Sequence, residues 1–69
     1  MTKNLLSIRL IYLRKQKGYT QYEVSEILNI SRSALSKYEK GRRIPKIETI
    51  MQLARLYDVS CDYLLCSDI

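Results

Sequence analysis

TQYEVSEILNISRSALSKYEKG, from Thr20 to Gly41, is the stretch that decides how this 69-residue chain folds. It reads as two short helices joined by a tight turn. Thr20 and Glu23 have the spacing of a capping box, in which a hydroxyl and a carboxylate satisfy each other's otherwise unpaired backbone N–H groups. Val24, Ile27 and Leu28 follow at helical spacing and form an apolar stripe. Asn29 interrupts the pattern, and Asn is one of the few non-glycine residues that tolerate a left-handed backbone. Ser31 is a good N-cap for a second helix. That helix turns Ala34, Leu35 and Tyr38 inward and leaves Arg32, Ser33, Ser36, Lys37 and Lys40 outward. Gly41 ends it.

Upstream, Leu5 to about Lys17 reads as another helix. Leu6, Leu10 and Leu13 recur on one face and are expected in the core. Ile8, Ile11 and Tyr12 widen the apolar surface beyond that face. They either pack under neighbouring loops or form an exposed patch for a partner subunit. Gly18 closes the helix, with Lys15 and Lys17 where cations suit the dipole. Met1 to Asn4 reads as a loose lead-in. Downstream, Gly41-Arg42-Arg43-Ile44-Pro45 is a loop that Pro45 terminates. A fourth helix is expected over Ile47–Tyr57, with Ile47, Ile50, Leu53, Ala54 and Tyr57 inward. Asp58 falls where a left-handed turn residue is needed, at some cost. Ser60 caps a short fifth helix, whose Leu64 and Leu65 are expected to close the core. No strand, repeat or low-complexity segment is visible, so the class is all-α and the chain 1–69 reads as one domain.

The composition agrees. A chain this long supports one small core, and 46% hydrophobic content favours folding. No apolar run is long enough to span a bilayer, and polar residues interrupt the N-terminus too early for a secretory leader. Both point to a cytoplasmic protein with no membrane partner. The net charge of +5 permits a polyanionic partner. The charge is also focused. Arg32, Lys37, Lys40, Arg42, Arg43 and Lys46 lie in a segment whose one acid is Glu39, while Asp58, Asp62 and Asp68 gather past Arg55. Cys61 and Cys66 have no histidine to complete a zinc site and are expected reduced and partly buried. With no nucleophile beside a base, no phosphate-cradling glycine loop and scattered acids, the chain is not expected to be an enzyme. It is expected to need neither cofactor nor metal.

Two helices across a tight turn, the second amphipathic with basic and hydroxyl groups at its start, have the form of a helix-turn-helix reader of DNA. Gly18, Thr20-Gln21, Val24-Ser25, Ile30-Ser31, Leu35-Ser36, Tyr38-Glu39, Gly41 and Pro45 resemble the phage repressor/Cro-type (XRE-like) helix-turn-helix family. So do Ile50, Leu53-Ala54, Tyr57, Val59-Ser60, Asp62 and Leu64-Leu65 further on. The resemblance runs from about Leu6 to Leu65. Ser25 stands where the family usually has alanine and Asn29 where it has glycine; both substitutions keep the fold possible.

The resemblance implies a compact five-helix, lambda-repressor-like domain that binds double-stranded DNA. The third helix would dock in the major groove, as part of a homodimer on an inverted repeat, in a transcriptional regulator of repressor type. It implies an ion pair between Arg14 and Glu39. It also implies base contacts from Arg32, Ser33 and Lys37, where Lys37 is alternatively a phosphate contact. Chemistry supplies the rest of the site. Gln21 is expected to bond a phosphate through its amide. Lys40, Arg42 and Arg43 are phosphate candidates, Ser36 is expected to add a backbone or base contact, and Ser31 heads the reading helix. The fifth helix and the end of the fourth are the first candidate for dimerisation, through Tyr57, Cys61, Tyr63, Leu65 and Cys66; the first helix is the second. Two other readings stay open: a protein-interaction adaptor or antitoxin, which the basic focus disfavours, and the recognition module of an enzyme. Met1 and an end just past the last helix favour a complete small protein over the latter.

Overall fold

The computed structural model describes residues 5–65. They form five helices: α1 (Leu5–Gln16), α2 (Gln21–Leu28), α3 (Arg32–Lys40), α4 (Ile47–Tyr57) and α5 (Cys61–Leu65). No strand occurs among them. α1 packs on α3 and α5, α2 packs on α3 and α4, and α4 packs on α5. The all-α, five-helix architecture is therefore the one expected.

The helix starts follow their caps. Thr20 is extended, and its hydroxyl accepts from Glu23 N at 3.1 Å while the Glu23 carboxylate accepts from Thr20 N at 2.8 Å. Ser31 Oγ accepts from Ala34 N at 3.0 Å, and Ser60 Oγ accepts from Tyr63 N at 2.9 Å.

The helix ends share one device. Gly18, Asn29, Gly41 and Asp58 all have positive φ. In each case that residue's N–H and the next residue's N–H reach back to the carbonyls of the last turn: Lys15 and Arg14, Glu26 and Ser25, Tyr38 and Lys37, Arg55 and Ala54. This is the paired pattern of a Schellman motif, with its left-handed residue at C′. The following residues Tyr19, Ile30 and Val59 then fold onto the core. Asn29 and Asp58 accept the left-handed backbone despite their Cβ atoms, as their short polar side chains permit.

The core is Leu10, Leu13, Val24, Leu28, Leu35, Tyr38, Ile50, Leu53, Ala54, Tyr57 and Leu64. Several expected members lie elsewhere. Ile27 is 54% exposed, because Val24 and Leu28, one turn apart, occupy the line facing the core and leave Ile27 on its flank. Ile47 opens α4 a turn before the buried Ile50 and is half exposed. Leu65 is one residue, about 100° of helix, past the fully buried Leu64 and is also half exposed. Leu6 and Ala34 pack against the core while only partly buried. Conversely, Ser7, Ser25 and Thr49 are buried although polar. Ser25 Oγ donates to the Tyr22 carbonyl at 2.8 Å, which lets a hydroxyl stand in the helix-turn-helix core.

Tyr57 is 1% exposed, and its hydroxyl has no hydrogen-bond partner among the described residues. Burial pushes the phenol's pKa up, with the nearby Glu39 charge adding to it. The folded protein thus holds Tyr57 neutral over a pH range in which the unfolded chain ionises it. This contribution to stability is whole below pH 10, the ordinary phenol value, and is lost progressively above it. Tyr57→Phe removes both the unpaired hydroxyl and this dependence. Urea titrations should show the variant as stable as wild type or about 1 kcal/mol more so at pH 8. They should also show a shallower loss between pH 8 and 10.5. A loss of several kcal/mol at pH 8 would mean that the hydroxyl is satisfied.

Candidate nucleic-acid interface

The interface is held from behind by Glu39, near the C-terminal end of α3 and only 2% exposed. Arg14, near the end of α1, donates to it twice: Nε to Oε2 at 2.7 Å and Nη2 to Oε1 at 3.0 Å. The third arm of the guanidinium, Nη1, donates to the Tyr19 carbonyl at 3.0 Å. Gln21, the first residue of α2, donates Nε2 to Glu39 Oε1 at 3.0 Å. One carboxylate and one guanidinium therefore join the end of α1, the following loop, the start of α2 and the end of α3. The bond to Glu39 holds the Arg14 guanidinium pKa above its ordinary value, against the opposing effect of burial. The pair implied by the family resemblance is present. The participation of Gln21 and the Tyr19 carbonyl was not visible in the chain's pattern, because neither lies at a periodic spacing from Arg14 or Glu39.

This arrangement decides the sign of the surface. Glu39 is the one acid between Arg32 and Lys46, and it is buried against a cation. Arg32, Lys37, Lys40, Arg42, Arg43 and Lys46 are all exposed. The outer face of α3 and the loop behind it therefore carry positive charge alone.

The proposed contact residues divide by position. Arg32, Ser36 and Lys40 recur every four residues along α3, with Ser33 and Lys37 beside them, so these five share one helix face. That face rises by roughly 12 Å from Arg32 to Lys40. Ser36 is partly buried; the other four are exposed. Arg42 and Arg43 follow Gly41, at the opposite end of α3 from Arg32. Ser31 spends its hydroxyl on the helix cap. Gln21 shares a cleft of about 430 Å³ with Arg32, Arg14, Tyr19, Thr20 and Tyr22. Its amide nitrogen already serves Glu39, which leaves the second N–H of that group for a ligand. Tyr22 also lines this cleft and is exposed, and no motif or spacing in the sequence marks it.

The surface considered for dimerisation changes in composition. Tyr57 lies inside the core and is unavailable. Cys61 is a partly buried free thiol, Tyr63 and Leu65 are exposed, and Cys66 lies outside the described residues. Arg9 ties α1 to α5. Its Nη1 donates to the Tyr63 carbonyl at 2.6 Å, and its guanidinium lies 4.8 Å from the Tyr63 ring centre. On α1, Ile8 and Tyr12 are exposed, whereas Ile11 is partly buried. The apolar excess of α1 is thus mostly surface. Among the described residues no helix is long and apolar enough to cross a membrane.

The helix-turn-helix family model matches residues 10–64. The HTH-type transcriptional regulator ImmR of Bacillus subtilis is 48% identical over 63 residues, covering 91% of this chain and 50% of ImmR. The chain spans about half the length of the curated relatives ImmR and AnsR. Among solved structures, the P22 c2 repressor in complex with a synthetic operator superposes with a TM-score of 0.86 at 27% identity, covering 96% of this chain and all of that one. SinR, the master regulator for biofilm formation, in complex with DNA gives a TM-score of 0.80 at 31% identity, covering 87% of this chain and 97% of that one.

If the pair at Glu39 joins the helices as described, removing one partner leaves a buried charge alone. Arg14→Met should cost on the order of 3–5 kcal/mol, and adding Glu39→Met should recover much of it. Equilibrium urea unfolding of the two single variants and the double variant checks this. Losses that simply add would show the two residues to be independent.

Proposed function

Since the chain belongs to the helix-turn-helix family of the phage repressor and Cro type, we propose that residues 1–69 form one sequence-specific DNA-binding domain of a transcriptional regulator. We further propose that it is a repressor, reading the major groove with α3 as a homodimer on an inverted repeat. The observation that carries this reading is the burial of Glu39. It removes the only negative charge from the reading face and fixes the start of α2 against α3. The P22 c2 repressor, solved on a synthetic operator, shares this fold over its whole length. ImmR, named as a transcriptional regulator, matches nearly all of this chain.

Roles follow from position. Arg32 opens α3 and projects past the helix end toward the groove floor. Arg32 and Lys37 donate to guanine edges, Ser33 donates or accepts, and Ser36 adds a contact from the same face. Gln21, Lys40, Arg42 and Arg43 hold phosphates on either side of the groove, which sets register and affinity without sequence information. A reading helix of nine residues spans few base pairs, so useful discrimination takes two copies. Tyr63 and Leu65 on α5, with Ile8 and Tyr12 on the adjoining α1, supply the exposed apolar surface for the second copy, and the partly buried Cys61 lies on the same short helix. Such a regulator works in the cytoplasm, where its DNA is. The basic reading face favours this function over a protein-interaction adaptor.

Binding of wild type and two variants to a randomised duplex pool, at several salt concentrations, tests the assignment. Arg43→Ala should weaken specific and non-specific DNA alike and flatten the slope of log affinity against log salt by about one unit. Arg32→Ala should relax one position in each half-site by about 1–3 kcal/mol and barely change non-specific binding. Selection of no common motif by wild type would refute a sequence-specific regulator.

A further inference from the structure

Tyr22 is the second residue of α2, is 60% exposed, and lines the same cleft as Gln21 and Arg32. Its backbone carbonyl is occupied by the Ser25 hydroxyl. Its phenolic hydroxyl has no hydrogen-bond partner among the described residues. A large ring held this far out of a small domain gains little from burial, so its position calls for another account. The surroundings supply one. Glu23, the nearest acid in sequence on that side, turns its carboxylate back onto the Thr20 N–H and is spent in the capping box. Gln21 turns inward to Glu39. The first-turn N–H groups of α2 have no carbonyl of their own helix to bond. The Tyr22 hydroxyl is thus an exposed donor at this end of α2, beside the spare N–H of Gln21, in a cleft that the Arg32 cation also lines.

We propose that Tyr22 is a further DNA-contact residue: its hydroxyl donates a hydrogen bond to a backbone phosphate oxygen beside the half-site read by α3. This inference rests on the DNA-binding function proposed above and adds to it a neutral contact among charged ones. A phenol releases no counterion when it meets a phosphate, so it contributes affinity and register without contributing to the salt slope.

That difference makes the residue separable from its neighbours. Tyr22→Phe keeps the ring and removes only the hydroxyl. In titrations of duplex carrying the selected site, and of unrelated duplex, the variant should bind both about 3- to 10-fold more weakly, the worth of one hydrogen bond. Its salt slope, sequence preference and thermal midpoint should match wild type. Tyr22→Lys should regain affinity while steepening the slope by one unit or less. A panel of duplexes with one neutral methylphosphonate each adds a positional readout that a merely structural residue would not move. One substituted phosphate should weaken wild type and leave Tyr22→Phe unaffected. Wild-type affinity of Tyr22→Phe, with Arg43→Ala still weakened, would overturn the role of Tyr22 and leave the DNA-binding reading intact. Failure of wild type to bind either duplex would overturn that reading as well.

Discussion

A guanidinium fork on a buried carboxylate sets the geometry of the molecule. α2 and α3 are eight and nine residues long, too short to hold a helical form or a mutual angle unaided. Their relation is imposed at three points. The Asn29 turn joins them, Val24, Leu28 and Leu35 pack between them, and Glu39 binds both Gln21 on α2 and Arg14 on α1. The first two points fix distance and burial. The third acts near the far end of α3, where it resists rotation of that helix about its own axis. Such rotation would change which way the face carrying Arg32 and Lys37 points.

The same economy governs the helix ends. Four of the five helices end in one motif, and three of those endings use the next residue to cover what the turn would expose. Tyr19, Ile30 and Val59 do so with apolar side chains, while Arg42 occupies the corresponding place after α3 and stays outside. That exception lies where a cation is wanted. The stop signal of α3 therefore delivers the basic loop as part of the helix's own termination, with no separate structural element.

Much of this was legible in the chain. The capping box at Thr20 and Glu23, the left-handed residues at Asn29 and Asp58, and the caps at Ser31 and Ser60 are local devices. Their chemistry is complete within four residues, so sequence alone places them. The stripes of α1 and α4 were legible too, through Leu10, Leu13, Ile50, Leu53 and Tyr57. The misplacements have one cause. Periodicity shows which residues share a face, but it does not show how far along the helix that face is covered. Ile47 and Leu65 overrun the ends of the covered stretch, and Ile27 misses its side. Tyr57 was read both as part of the inward stripe and as part of a dimer surface; α5 folding back over α4 leaves it only the first. Of the site, the residues that share the α3 face could be read from spacing. The bond from Gln21 to Glu39 joins residues eighteen apart on different helices, and only the fold brings them together.

The choice of ions for the central joint follows from what the joint must hold. A well-packed apolar pair of similar volume can fasten two helices as strongly as a buried salt bridge, or more so, since it avoids the desolvation cost. It would fasten only those two. The Glu39 carboxylate has more acceptor positions than Arg14 fills, and the spare one binds Gln21 at 3.0 Å. The Arg14 guanidinium likewise has a donor left after its fork, and that donor binds the Tyr19 carbonyl. A leucine or methionine at either position offers neither. It would also leave the Gln21 amide free to leave its inward orientation at the start of α2. The desolvation cost of the pair is offset by four connections instead of one. Its burial also keeps the acid, without which the joint could not form, away from the positive surface of α3 and the loop after it.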